Sequence, residues 1–104
     1  MIKQLLILSS LALAATTAMA TPDEAMGKAG CMACHAKDKK VLGPAFKDIA
    51  AKYKADKEAS TKLTEKVRKG GAGNWGPIPM PPHPAEKIND ADLKGAVDQI
   101  LKTQ

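Results

Sequence analysis

Two cysteines and a histidine stand together near the start of the chain, as Cys31-Met32-Ala33-Cys34-His35. C-x-x-C-H is the attachment signature of a c-type haem. Two thiols at this spacing on one helical turn can each form a thioether with one of the two haem vinyl groups. The imidazole that follows then points at the iron from the proximal side. Three rival chemistries explain less. A structural disulfide suits an oxidising compartment but gives His35 nothing to do. A thioredoxin-like pair belongs in a βαβ unit, and the chain has no alternating strand pattern. A zinc site needs two further ligands, and His83 is the one remaining His or Cys.

An iron held by His35 has a second axial position to fill. After residue 20 the candidates are Met26, Met32, Met80 and His83. Met26 lies in a helical stretch and reads as core packing. Met32 sits between the two cysteines, too near in sequence to reach the opposite side. Met80 is surrounded by Pro77, Pro79, Pro81 and Pro82. Those prolines order the segment before folding, so holding a thioether in place costs little further chain entropy. A soft ligand on a stiff loop suits ferrous iron and raises its potential. The bland reading of Met80 is an ordinary loop methionine packed on the haem face. His83, between Pro82 and Pro84, reads as a surface histidine in a proline turn. It cannot share one axial position with Met80.

Something must position these groups, and length limits it to one domain. The chain has 104 residues, 44% of them hydrophobic, with Phe46, Tyr53 and Trp75 as the only aromatics. Three aromatics make a thin core, because such rings usually supply much of the buried apolar area. Something other than side chains is therefore expected to fill the middle. The net charge is +5, carried by lysines and a single arginine, Arg68. Lysine without arginine or interleaved aromatics is a poor nucleic-acid signature.

Residues 1–20 read as a cleaved secretory signal peptide: Lys3, an apolar run from Leu5 to Ala15, then Ala18-Met19-Ala20 at the cleavage site. The run is short of the roughly 20 apolar residues that a stable membrane span needs. Residues 21–104 form the expected domain. Thr21-Pro22-Asp23-Glu24 opens a first helix that ends at Gly30. Pro44 starts a second through Ala45–Tyr53, with Phe46, Ile49 and Ala50 on one face. A third runs from Ser60 or Thr61 to Gly70, with Leu63 and Val67 inward. Residues 70–84, rich in Gly and Pro, forbid a regular helix or central strand. A last helix follows Asn89 or Asp90, with Leu93, Val97, Ile100 and Leu101 as its stripe. The fold class is all-α.

Together these residues resemble the class I bacterial cytochromes c of the c-551 (c8) type. The sharpest segments are Gly30 to His35, Gly43 to Tyr53, and Asn74-Trp75-Gly76-Pro77-Ile78-Pro79-Met80-Pro81-Pro82. The resemblance implies about four helices around one covalently attached haem c, with the first and last helices crossing. It implies thioethers at Cys31 and Cys34 and axial ligands at His35 and Met80. The Pro44 carbonyl is implied to accept the His35 ring N–H, and Trp75 to lie beside the haem. Lys66 falls where relatives carry a basic residue near the propionates; a solvated lysine is its plainer reading. Two positions depart from the pattern. His83 stands where Asn is common against the methionine sulfur, and Gln99 where an aromatic is common, which makes the helix crossing less apolar.

A haem with both axial positions filled by protein has no open site for substrate, so the expected function is a periplasmic one-electron carrier and not an enzyme. The rival is a ligand-binding or peroxidase-like haem protein in which Met80 is absent from the iron. A module of a larger respiratory complex is a further alternative. Redox proteins are the expected partners: a quinol-oxidising donor, and a nitrite reductase, oxidase or peroxidase as acceptor. No nucleic acid, no stable membrane insertion and no dimer are expected. The exposed haem edge is expected among Met32, Leu42, Pro77, Ile78 and Pro79, rimmed by Lys28, Lys39, Lys40 and Lys47.

Overall fold

The computed structural model describes residues 20–104, so the expected leader, Ala20 apart, lies outside the described residues. Helix α1 spans Pro22–Ala29. Thr21 Oγ1 accepts the Glu24 amide at 3.2 Å, Pro22 takes the first turn, and Gly30 closes the C-terminus. A single 3-10 turn, Cys31–Ala33, follows directly. Helix α2 covers Phe46–Lys52 and α3 covers Ala59–Lys69. Helix α4, Asp90–Leu101, starts from Asn89, whose side chain accepts the Asp92 amide at 2.8 Å. Each side-chain cap satisfies an amide that has no partner within its own helix.

Helix α4 is the hub, packing against α1, α2 and α3. Its Leu93, Ala96 and Val97 are each 2% exposed. Ala25, Met26 and Ala29 of α1, Phe46 and Ile49 of α2, and Ile88 complete the core, with Leu63 and Val67 partly buried against it. The crossing of α1 and α4 carries a polar bond, Gln99 Nε2 donating to Asp23 Oδ1 at 2.7 Å. A second tie joins α3 to α4, where Ser60 Oγ donates to Asp98 Oδ1 at 2.9 Å.

Four helices fall where the spacing places them, and two expectations change. Residues 70–84 contain an antiparallel ribbon, β1 (Gly71–Gly73) paired with β2 (Gly76–Met80), in the register Gly71 to Met80 and Gly73 to Gly76. Asn74 and Trp75 form its two-residue tip. Both strands are edges, so Pro77 and Pro79 cost the ribbon little pairing. The ban on a central strand therefore holds while a ribbon forms. His83 is the second change: it is buried, at 6% exposed, and is not a surface residue. Its amide donates to the Val67 carbonyl at 2.9 Å, which draws the residue against the end of α3.

Lys94, first, and Ser60 hold the Asp98 carboxyl below its usual pKa. A carboxylate with a lowered folded pKa stabilises the fold above the unfolded value of about 3.9 and loses that contribution as pH falls below it. Asp98→Asn keeps the Ser60 bond and removes the charge. We expect it to cost less than about 1 kcal/mol at pH 6, because the pair is partly solvated. Urea denaturation at pH 6 and pH 3 should show the gap from the parent protein closing at the lower pH.

Candidate haem-binding site

The site begins where α1 stops. The 3-10 turn is closed by Ala33 N–H to Gly30 at 3.2 Å and by the Cys34 and His35 amides to the Cys31 carbonyl at 3.2 and 3.0 Å. Cys31 and Cys34 are free thiols, both partly buried. Burial, above all, pushes the Cys31 thiol above its usual pKa. Redox-active C-x-x-C pairs are tuned the other way, toward thiolate. Residues 36–43 loop back, and the Gly43 amide reaches the Cys34 carbonyl at 2.7 Å.

That loop brings Pro44 to the imidazole. His35 Nδ1 lies 2.8 Å from the Pro44 carbonyl oxygen. A carbonyl can only accept, so Nδ1 carries the hydrogen and Nε2 keeps its lone pair for a metal. Phe46 stacks on the same ring, with centroids 5.3 Å apart and planes 25° from parallel. Gly43 covers it so closely that a Cβ there would stand 2.6 Å from His35 Cε1. One hydrogen bond and two close contacts thus fix both the orientation and the tautomer of His35.

His35 faces a cleft of about 1110 Å³, counting its open mouth. The two thiols, Phe46, Ile49, Leu63, Val67, Val97 and Ile100 line it on one side, and the β1–β2 ribbon with Trp75, Ile78, Pro79 and Met80 on another. Of the four candidates for the second axial position, Met80 alone lines this cleft. Met26 is core, at 3% exposed, Met32 is exposed, and His83 packs on α3. The donor set is therefore two thiols, an imidazole nitrogen with a free lone pair, and a thioether in an apolar surround. This set fits a covalently attached haem, with soft sulfur and imidazole for the iron.

A model of the family described as "Cytochrome c" matches residues 23–104. The chain belongs to the cytochrome c family. It is 50% identical to cytochrome c2 of Rubrivivax gelatinosus over 84 residues, 81% of this chain and 99% of that one. It is 41% identical to cytochrome c-551 of Azotobacter vinelandii, covering 95% of it and 78% of this chain. The crystal structure of Nitrosomonas europaea cytochrome c552 superposes with a TM-score of 0.70 at 45% identity, covering 79% of this chain and 99% of that one. This is a class I cytochrome of the c-551 type. It carries one covalently bound haem c, for which Cys31-x-x-Cys34-His35 is the attachment motif. As an electron carrier it works with redox partners. No helix among the described residues is long and apolar enough to cross a membrane.

The remaining expected residues fall at or near the cytochrome's cleft. Pro44 bonds His35, Trp75 lines the mouth at 41% exposed, and Lys66 lines the wall with its Nζ close to Gly71. Leu42, Ile78 and Pro79 are exposed at the rim, whereas Met32 and Pro77 are exposed without lining the cleft. Lys52 is a contact that sequence did not suggest. Its Nζ sits 4.6 Å from the Trp75 ring centroid and donates to the Asn74 carbonyl at 3.4 Å. Lys52 and Trp75 are far apart in sequence, and only the fold brings them together.

Gly43→Ala tests how closely the ring is held. Overpacking of this kind costs about 1–3 kcal/mol. We expect a loss of that size in denaturant unfolding, together with a changed imidazole environment in the haem spectrum. Unchanged stability would mean that the loop over His35 yields freely.

Proposed function

We propose that this chain is a soluble, periplasmic one-electron carrier whose haem iron takes His35 and Met80 as its two axial ligands. The reading rests on one observation above the others: Met80, alone of the candidates, lines the cleft that His35 faces. Haem c, when bound, supplies a one-electron iron couple. His35 offers Nε2 because Pro44 holds the hydrogen on Nδ1. Met80 offers a thioether at the end of β2, where prolines restrict its motion. Cys31 and Cys34 are the thioether attachments, and Trp75 and Lys66 are the polar neighbours of the cofactor. With both axial positions held by side chains, there is no open position for a substrate. Electron exchange then needs little rearrangement, and the protein acts as a carrier rather than an enzyme.

Residues 1–20 are the export signal in this reading, removed before Thr21. The contact surface is the exposed apolar rim of Leu42, Trp75 and Ile78, with Val41 beside Leu42 in sequence. Lys28, Lys39, Lys40 and Lys47 are all exposed, and among the described residues none of them forms an ion pair. Positive charge of this kind speeds encounter with an acidic partner more than it tightens the complex. The chemistry fits a quinol-oxidising complex as donor and a nitrite reductase, oxidase or peroxidase as acceptor.

The test is the absorption spectrum of oxidised and reduced holoprotein, repeated after carbon monoxide is added to the reduced form. We expect a weak far-red methionine-to-iron band in the oxidised protein and no change with carbon monoxide. A missing band with rapid carbon monoxide binding would make this a ligand-binding haem protein.

A further inference from the structure

The segment that carries Met80 is poor in backbone donors. Of residues 79–84, only Met80 and His83 have an N–H, because the other four are prolines. His83 is accordingly the residue through which the segment beyond Met80 can be tied down, and both of its backbone groups are used. Its amide donates to the Val67 carbonyl at 2.9 Å, and its carbonyl accepts from Arg68 Nη1 at 3.1 Å. Arg68 Nη1 also donates to the Ile88 carbonyl at 2.7 Å, and Nη2 pairs with Asp90 Oδ1 at 2.6 Å. A single guanidinium, 22% exposed, thus joins the last turn of α3, the chain after Met80 and the start of α4. Lysine has one nitrogen and cannot span these three acceptors in the same fork.

From this geometry we infer that Arg68 is a positioning residue for Met80, and that it keeps the thioether at the cleft so that outside ligands stay off the iron. The proposal rests on the ligation by Met80 read above. Two features bear on which bonds matter. Asp90 is 95% exposed, so its ion pair with Arg68 is screened by water and salt. The carbonyls of His83 and Ile88 are bonded to a charged donor in a partly buried place, where such bonds are strong. Gly70, which caps α3 at φ +67°, adds a steric check. A Cβ there would run into the Met80 carbonyl oxygen and stand 2.8 Å from Pro82 N. The end of α3 therefore abuts the Met80 segment and leaves Arg68 in reach of His83. Without the guanidinium, two carbonyls lose their partner and the segment after Met80 is held by one amide. Opening then becomes local, a release of residues 80–84 without unfolding of the helices.

The experiment follows cyanide binding to the oxidised holoprotein by stopped flow at neutral pH, far from the unfolding transition. The proteins compared are the parent, Arg68→Met, Arg68→Lys, Asp90→Asn and Asp98→Ala. Losing a charged hydrogen bond shifts the opening equilibrium by about tenfold, so Arg68→Met should bind cyanide about tenfold faster and lose His83 amide protection in hydrogen exchange. Arg68→Lys should fall between it and the parent, and it serves alone if Arg68→Met does not fold. Asp90→Asn should stay within about threefold of the parent, as a screened pair should. Asp98→Ala cuts the Ser60 tie and so lowers global stability elsewhere; its rate should stay within about twofold. If both Arg68 variants bind cyanide at the parent rate, or only as fast as Asp98→Ala, the positioning role is overturned. If the parent itself lacks the far-red band and binds cyanide at once, the Met80 reading fails instead, which is a separate result.

Discussion

Phe46, Ile49, Val97 and Ile100 look two ways. They belong to the packing around α4, and they also line the cleft that His35 faces. Core and cleft therefore share their walls, and neither can be shaped without the other. This explains a composition that is odd for a domain of this size. Three aromatic side chains suffice because the middle of the fold is built around a flat apolar group instead of around rings of its own. The same constraint makes α4 the hub: Val97 and Ile100 reach the cleft while Leu93 and Ala96 seal the packing behind it.

Within that frame, the cleft depends on three sulfurs and a nitrogen being held by backbone. The turn after α1 presents Cys31 and Cys34, and Pro44 sets the His35 tautomer through a single carbonyl. The β1–β2 ribbon brings Met80 to the same cleft, and the end of α3 steadies the chain just after it through Val67, Arg68 and Gly70. These anchors lie on different elements. Stiffness at the iron is then a property of the whole fold and not of one motif. A site held from several elements suits an electron carrier.

Much of this was legible because it is written in local spacing. C-x-x-C-H, the caps at Thr21 and Asn89, and the stripe on α4 are all short-range patterns with a direct physical meaning. Met80's place at the cleft was legible for the same reason, as one thioether among prolines. The ribbon was not, since its strands are too short and too rich in Gly and Pro to alternate. His83 was misplaced because a histidine between prolines looks exposed; nothing nearby in sequence announces that Val67 and Arg68 bury it. Lys52 over Trp75 and Arg68 on His83 and Ile88 are likewise long-range pairings of flexible cations. Charge alone marks no partner for such side chains. Gln99 was legible as a polar intrusion at the helix crossing, while its bond to Asp23 appeared only in three dimensions.

The shared wall between core and cleft is tested most directly on the chain without its covalent haem. Cys31→Ala/Cys34→Ala, expressed as residues 21–104, keeps every fully buried core side chain and cannot form the thioethers. Its circular dichroism and amide spectrum should show no cooperative unfolding transition and little dispersion, because the walls have nothing to close on. A cooperatively folded protein with four native helices would contradict the account and show that the core stands without the cofactor.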